Sequence, residues 1–111
     1  MKIKKGTFKI REQDGETSIW KSYDGSYGND YPFYVHRKST VKTWILSHCS
    51  TGYAVKSGIT LKQAKTLSKT LKEWPMFLMP TVETLLQQKS LLPTHKQNLL
   101  QQIVDNCGEK K

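Results

Sequence analysis

The chain has 111 residues, with 18 Lys or Arg side chains against nine Asp or Glu and a formal net charge of +9. Apolar residues make up 36% of it, and its longest apolar run, residues 76–79, is far shorter than the ~20 residues that cross a bilayer. These values exclude a membrane-spanning helix and predict one domain, strand-rich over residues 1–57 and helical over 60–108. The first residues are basic, as in a signal peptide, but no apolar stretch follows them. We therefore expect a cytoplasmic protein.

The first half of the chain is predicted to form strands: polar and apolar residues alternate over 7–12, and residues 16–23 are rich in Thr, Ile, Trp and Tyr. The predicted strands cover residues 7–12, 16–23, 31–37, 41–48 and 53–56. Asp14-Gly15 is expected to form a tight hairpin turn, because glycine tolerates a positive φ. Residues 24–30, which include two glycines, are predicted to be a loop. Together these segments predict an antiparallel sheet of four or five strands.

Helical patterns fill the second half, at residues 60–74, 81–91 and 94–107. Thr60 and Gln63 have the spacing of a capping box at the first helix, and Pro75 is expected to end that helix. The third helix has an apolar stripe, and Gly108 is predicted to end it; the stripe consists of Leu99, Leu100, Ile103, Val104 and Cys107. The predicted fold class is α+β: an antiparallel sheet packed by one helix and followed by two carboxy-terminal helices.

Four lysines form a row along the first predicted helix; they are Lys62, Lys65, Lys69 and Lys72. At ~100° per residue they occupy an arc of roughly 80° beside the apolar face, and the row is about 15 Å long. The only acid in residues 60–74 is Glu73. Such a row predicts contact with several phosphates of a nucleic acid, DNA or RNA. The alternative is that the lysines only keep a helix face solvated.

Other cations and aromatic residues are predicted to extend this surface. The cations are Arg37, Lys38 and Lys42 around the turn between the third and fourth strands, and Lys56 just before the helix. The sixteen lysines greatly outnumber the two arginines, which favours phosphate contacts over the reading of base edges. Tyr27, Tyr31 and Tyr34 could stack on the bases of single strands, or could simply pack on the sheet.

The sequence predicts neither catalysis nor a metal or cofactor site. His48 and Cys49 are adjacent on a predicted strand, so their side chains point to opposite faces and cannot act as a nucleophile and its base. The three histidines also lack metal-ligand spacing with the two cysteines.

Apolar residues late in the chain predict either core or a partner surface. Residues 74–80, which include two prolines, are nearly all apolar. The third helix also carries more apolar side chains than a small sheet obviously covers. The candidate interface residues are Trp74, Met76, Phe77, Leu100 and Val104. They support a second hypothesis, an inhibitor or adaptor that binds a host protein or nucleoprotein complex. A third hypothesis is a structural homodimer.

Residues 32–74 resemble the amino-terminal DNA-binding domain of tyrosine-type phage integrases, which plant ethylene-response factors share. The resemblance lies in three strands followed by a Gly-x-Thr helix start, and in the residues Trp44, Gly52, Tyr53, Val55, Gly58, Thr60 and Ala64. It implies that the outer face of the sheet enters a DNA groove, with Tyr34, His36 and Lys42 as readers. Arg37 is the only arginine in the matching region. The short lysine-rich chain also resembles small bacteriophage accessory proteins.

Overall fold

A computed structural model describes residues 2–106 as a five-stranded antiparallel sheet and three α-helices, which confirms the predicted α+β class. The strands are β1 (Lys4–Asp14), β2 (Thr17–Asp30), β3 (Phe33–Lys38), β4 (Trp44–His48) and β5 (Ala54–Ile59). The helices are α1 (Leu61–Leu71), α2 (Val82–Ser90) and α3 (Thr94–Asn106), with a 3₁₀ helix at Pro75–Leu78. Each strand pairs with the next along the chain, in the order β1-β2-β3-β4-β5. None of the described helices has the length and apolar character needed to span a bilayer.

Strand β2 is longer than the sequence predicts. Residues 24–30, expected to be a loop, continue the strand and pair with β1 on one side and β3 on the other. The two ladders satisfy the backbone polar groups of this segment in spite of its glycines. The predicted hairpin turn is present: Asp14 pairs with Thr17, and Gly15 takes a φ of 66° between them.

The β1–β2 hairpin bends where Gly6 lies opposite Gly25. A Cβ atom on Gly25 would lie 2.0 Å from the carbonyl oxygen of Arg37, so only glycine allows this close approach of β2 to β3. Beyond the bend, the hairpin folds back across the sheet. The Tyr34 hydroxyl donates to the Lys9 carbonyl at 2.8 Å, and the backbone N–H of residue 11 donates to the carbonyl of residue 52 at 3.1 Å.

The folded hairpin gives the sheet two covered faces. On one face, which we call the helix face, Phe33 and Val35 of β3 pack with residues of α1 in the main core. On the other, the hairpin face, Tyr34 packs with Phe8 and Ile10. Because successive strand residues point to opposite faces, β3 is buried on both sides.

Helix α1 begins as the sequence predicts and ends earlier. The Thr60 side chain accepts from the backbone N–H of Gln63, whose side chain accepts from the backbone N–H of Thr60, so the capping box is confirmed. The helix ends at Leu71 and not at 74, because the N–H of Trp74 bonds back only three residues and Pro75 then starts the 3₁₀ helix.

The apolar segment after α1 fills the core. Met76, Phe77 and Leu100 are only 5%, 6% and 4% exposed. The prediction that they form a partner surface is therefore wrong for this fold, and they belong to the core. His48 donates through Nε2 to the Phe77 carbonyl at 2.5 Å, which holds the 3₁₀ helix against the end of β4. Trp74 and Val104 are half-buried and pack against the same core. Cys107 and Gly108 lie outside the described residues.

Candidate functional site

The lysine ridge, defined as Lys62, Lys65, Lys69 and Lys72, lies on the solvent-exposed side of α1. Ala64, Leu67 and Leu71 are buried on the opposite side, so the predicted separation of charged and apolar stripes is present. Within residues 2–106, the first three lysines of the ridge make no ion pair. The fourth, Lys72, pairs with the carboxylate of Asp30 at the end of β2. The ridge therefore carries three unneutralised ammonium groups.

Asp30 ties the last turn of α1 to the sheet. Besides its ion pair with Lys72, its carboxylate accepts a hydrogen bond from the Ser68 hydroxyl at 2.8 Å. Burial raises the pKa of Asp30, but the hydrogen bonds from Lys72 and Ser68 and the lysine charge outweigh it, so the pKa lies below its ordinary value. The carboxylate is therefore ionised at neutral pH, and it removes one positive charge from the ridge.

Lys65 lies on the side of α1 from which Lys72 reaches Asp30, at the end of β2. Lys65 and Lys72 are seven residues apart, so they lie within about 20° of each other around the helix. Since Lys72 contacts Asp30, Lys65 is on that same side of the helix. Lys62 and Lys69, a second pair at the same spacing, lie farther round towards solvent.

A second group of cations lies on the helix face of the sheet. Lys5 of β1 pairs with Ser26 of β2, which pairs with Arg37 of β3, so these three residues form one cross-strand row on one face. The guanidinium of Arg37 lies 5.5 Å from the ring centre of Trp44, which packs on the main core. We call Lys5, Ser26 and Arg37 the basic row. It lies on the same face as α1.

The basic row borders an open cavity of about 390 Å³. Arg37 donates one bond from Nη1 to the Val41 carbonyl at 2.7 Å, which leaves its other donors unused within the described residues. Asp24 also lines the cavity, and its carboxylate accepts from the Thr7 hydroxyl at 2.9 Å. The cavity therefore combines two cations with one acid that is already hydrogen-bonded.

Lys38 is not part of this surface, although the sequence prediction grouped it with Arg37. It is the last residue of β3, so its side chain leaves the sheet on the hairpin face. There its ammonium lies 3.9 Å from a carboxylate oxygen of Glu12 and 3.9 Å from the ring centre of Tyr23. The hydroxyl of Tyr23, which donates to Glu12 at 2.6 Å, is the main cause that lowers the pKa of that carboxyl.

The last two predicted cations lie outside the lysine ridge. Lys42 is exposed in the segment between β3 and β4, and Lys56 is half-buried in the edge strand β5. Neither residue forms an ion pair within residues 2–106. Arg37 therefore lies on the helix face of the sheet, together with α1, whereas Lys38 lies on the hairpin face.

Two of the predicted readers of a nucleic acid are buried. Tyr34 is 7% exposed and His36 is 1% exposed, because the folded hairpin covers the face on which both lie. Burial raises the pKa of Tyr34 to about 12. Burial, with the charge of Lys38, lowers the pKa of His36 to about 4, and its Nε2 lies 2.7 Å from the Ser47 hydroxyl. Both side chains are therefore neutral core residues at pH 7, and the prediction that they face outward is wrong.

The other two tyrosines predicted to stack on bases, Tyr27 and Tyr31, differ from each other in exposure. Tyr27 is half-buried, with its ring centre 6.2 Å from that of Phe8 in the second core. Tyr31, in the turn between β2 and β3, is 64% exposed.

No protein family, curated protein or solved structure matches this chain. Within residues 2–106, no three His, Cys, Asp or Glu side chains are arranged to hold a metal ion.

The sequence prediction missed two residues that shape the site, Lys5 and Asp30. Lys5 belongs to the basic row only through its register with β2, and Asp30 reaches Lys72 across 42 positions of the chain. Neither relation has a local sequence signal. The alternation of strand residues separates Arg37 from Lys38 only because β3 extends to Lys38, one residue beyond the predicted strand.

A second surface feature is an apolar groove of about 320 Å³ between β5, α2 and α3. Val55, Leu85 and Val104 are among its lining residues, and Lys89 lies at its side. Leu86 of α2 also lines it and is 54% exposed.

Proposed function

We propose that this protein binds nucleic acid through the phosphate backbone, with α1 as the principal contact and the basic row beside it. One observation carries the proposal: Lys62, Lys65 and Lys69 lie exposed on one side of α1 and make no ion pair within the described residues. A helix face that only needs to be solvated gains from mixed charges at i,i+4 spacing, but α1 itself contains no acid. Glu73, four residues after Lys69, lies beyond the end of the helix and forms no ion pair within the described residues. The presence of Lys5 and Arg37 on the same face of the sheet supports a common cationic surface.

The proposed recognition is of charge and shape, not of base sequence. Lysine acts as a point charge towards phosphate, whereas base edges in a groove are usually read by the fork of arginine. Tyr34 and His36, both expected to read bases, are buried, which supports backbone contact further. Catalysis forms no part of the proposal.

The test is charge reversal on the ridge. In the Lys65→Glu/Lys69→Glu double variant, the loss of two phosphate contacts should weaken binding of a labelled oligonucleotide at least 25-fold at 0.1 M salt, by an order-of-magnitude estimate. It should also flatten the slope of log K against log salt by roughly 1.4 for single strands. Fluorescence anisotropy at three or more salt concentrations measures both quantities.

A matched control is Lys9→Glu/Lys96→Glu, which changes the net charge equally at two exposed lysines outside the ridge. This control should lose much less affinity than the ridge variant. Equal affinity of the ridge variant and the wild type across the salt series would reject α1 as the site. Equal losses in the two variants would show that only net charge matters.

The apolar groove favours a second candidate function, an inhibitor or adaptor that binds another protein. Leu86 is an exposed apolar side chain in this groove, and its burial by a partner would contribute to the free energy of binding. In a pull-down from nuclease-treated lysate, a stoichiometric partner that wild type retains and Leu86→Glu loses would favour this candidate. Light scattering of the purified protein tests the homodimer.

A further inference from the structure

Tyr31 is an exposed aromatic ring placed at one end of the lysine ridge. Asp30, the residue before it, is held by the Ser68 hydroxyl at 2.8 Å in the last turn of α1 and by Lys72, which caps the carboxy-terminal end of that helix. The backbone of Tyr31 is therefore fixed beside the carboxy-terminal end of the helix. Its side chain is 64% exposed and makes no hydrogen bond or ring contact within residues 2–106.

The other aromatic residues near the cations are already engaged. Tyr27 and Tyr34 pack with Phe8 on the hairpin face, and Trp44 lies half-buried against Arg37. Tyr31 thus differs from them in offering a ring face to solvent. A single exposed aromatic residue is ordinary on a protein surface. An exposed ring at the end of a row of cations is the combination by which proteins hold unpaired bases.

We infer that the ligand of this site is single-stranded nucleic acid, with phosphates along Lys62, Lys65 and Lys69 and one base stacked on Tyr31. This inference rests on the proposed function. The three lysines span about 10 Å along the helix axis, so the ring follows them within the reach of a short oligonucleotide. A duplex keeps the faces of its internal bases inside the stack, whereas a single strand can offer a base face to the ring.

The inference predicts a loss confined to single strands. We would measure, by fluorescence anisotropy, binding of a labelled 15-mer of thymidine, the corresponding 15-mer of uridine and a blunt 15-base-pair DNA hairpin whose loop is a non-nucleotide linker, so that it contains no unpaired base. Tyr31→Phe keeps the ring and should bind all three as the wild type does. Tyr31→Leu should weaken binding of both single strands by about 5- to 150-fold, the range measured when a stacking ring is removed. It should leave hairpin binding unchanged.

The salt dependence separates stacking from charge. Since Tyr31→Leu removes no cation, its slope of log K against log salt should equal that of the wild type, while the affinity is lower at every salt concentration. Thermal melting serves as the control for folding, because a substitution at a residue that is 64% exposed should leave the midpoint nearly unchanged.

The remaining outcomes overturn the inference, and they distinguish it from the proposed function. If Tyr31→Leu binds single strands as the wild type does, or loses hairpin and single-strand affinity equally, the assignment to single strands fails. If the Lys65→Glu/Lys69→Glu variant still loses affinity in that case, the proposed function stands without the inference. If the wild type binds none of the three probes, or the ridge variant binds them unchanged, both fail together.

Discussion

Asp30→Asn should strengthen nucleic-acid binding while it weakens the fold. The substitution removes the carboxylate that pairs with Lys72, so the ridge gains a fourth unneutralised ammonium group. One further phosphate contact with a single strand makes the slope of log K against log salt steeper by about 0.7, which corresponds to about five-fold higher affinity at 0.1 M salt. The gain should shrink as the salt concentration rises, since it comes from released counterions.

The structural cost of the same change should be small. The side chains of Asp30 and Lys72 are 20% and 39% exposed, so the ion pair is partly screened by solvent, and the Ser68 hydroxyl can still donate to the amide oxygen. We expect a loss of about 1 kcal/mol in the free energy of unfolding at pH 7. Because the pKa of Asp30 is lowered in the folded state, this contribution is present above its ordinary pKa and disappears as the pH falls through the lowered value.

Anisotropy titrations with a labelled single strand, at several salt concentrations, measure the expected gain, and urea denaturation measures the cost. The control is Asp105→Asn, which makes the same change of charge in α3, away from the ridge. That variant should gain little affinity. If Asp30→Asn binds with the affinity and salt slope of the wild type, Lys72 does not contribute to the site. A decrease in affinity with the fold intact would refute the electrostatic reasoning altogether.

Two further predictions concern the hairpin that covers the sheet. Gly25→Ala should lower the free energy of unfolding by about 3 kcal/mol in urea denaturation, because its Cβ would lie 2.0 Å from the Arg37 carbonyl oxygen. A loss below about 0.5 kcal/mol would show that the two strands can move apart at this position. The pKa of His36 falls from 6.5 to about 4 on folding, so between these pH values the unfolded chain binds a proton that the folded chain does not. The free energy of unfolding should therefore fall by about 2 kcal/mol from this group as the pH drops from 7 to 4.5. His36→Gln should remove that dependence and the exposed-site control His95→Gln should keep it; identical pH profiles for all three proteins would contradict the assignment.

Much of the secondary structure could be predicted from local sequence. Alternation, strand-forming composition and turn residues located all five strands, and the capping residue Thr60 marked the start of α1 to the residue. These features depend on neighbours a few positions away, so one short window contains their physical cause. The prediction failed at residues 24–30, where glycines normally indicate a loop, because pairing with strands on both sides outweighs a weak local propensity.

The sequence by itself determined that four lysines share one side of a helix, because helical spacing alone fixes that relation. Only the tertiary structure decided which of them stay unpaired, since the packing of α1 on β3, β4 and β5 brings its carboxy-terminal end to Asp30 at the end of β2, where the carboxylate pairs with Lys72. The bend opposite Gly25 likewise decided that Tyr34 is core and not surface. Both outcomes depend on contacts between residues far apart in the chain, and no local pattern encodes such contacts.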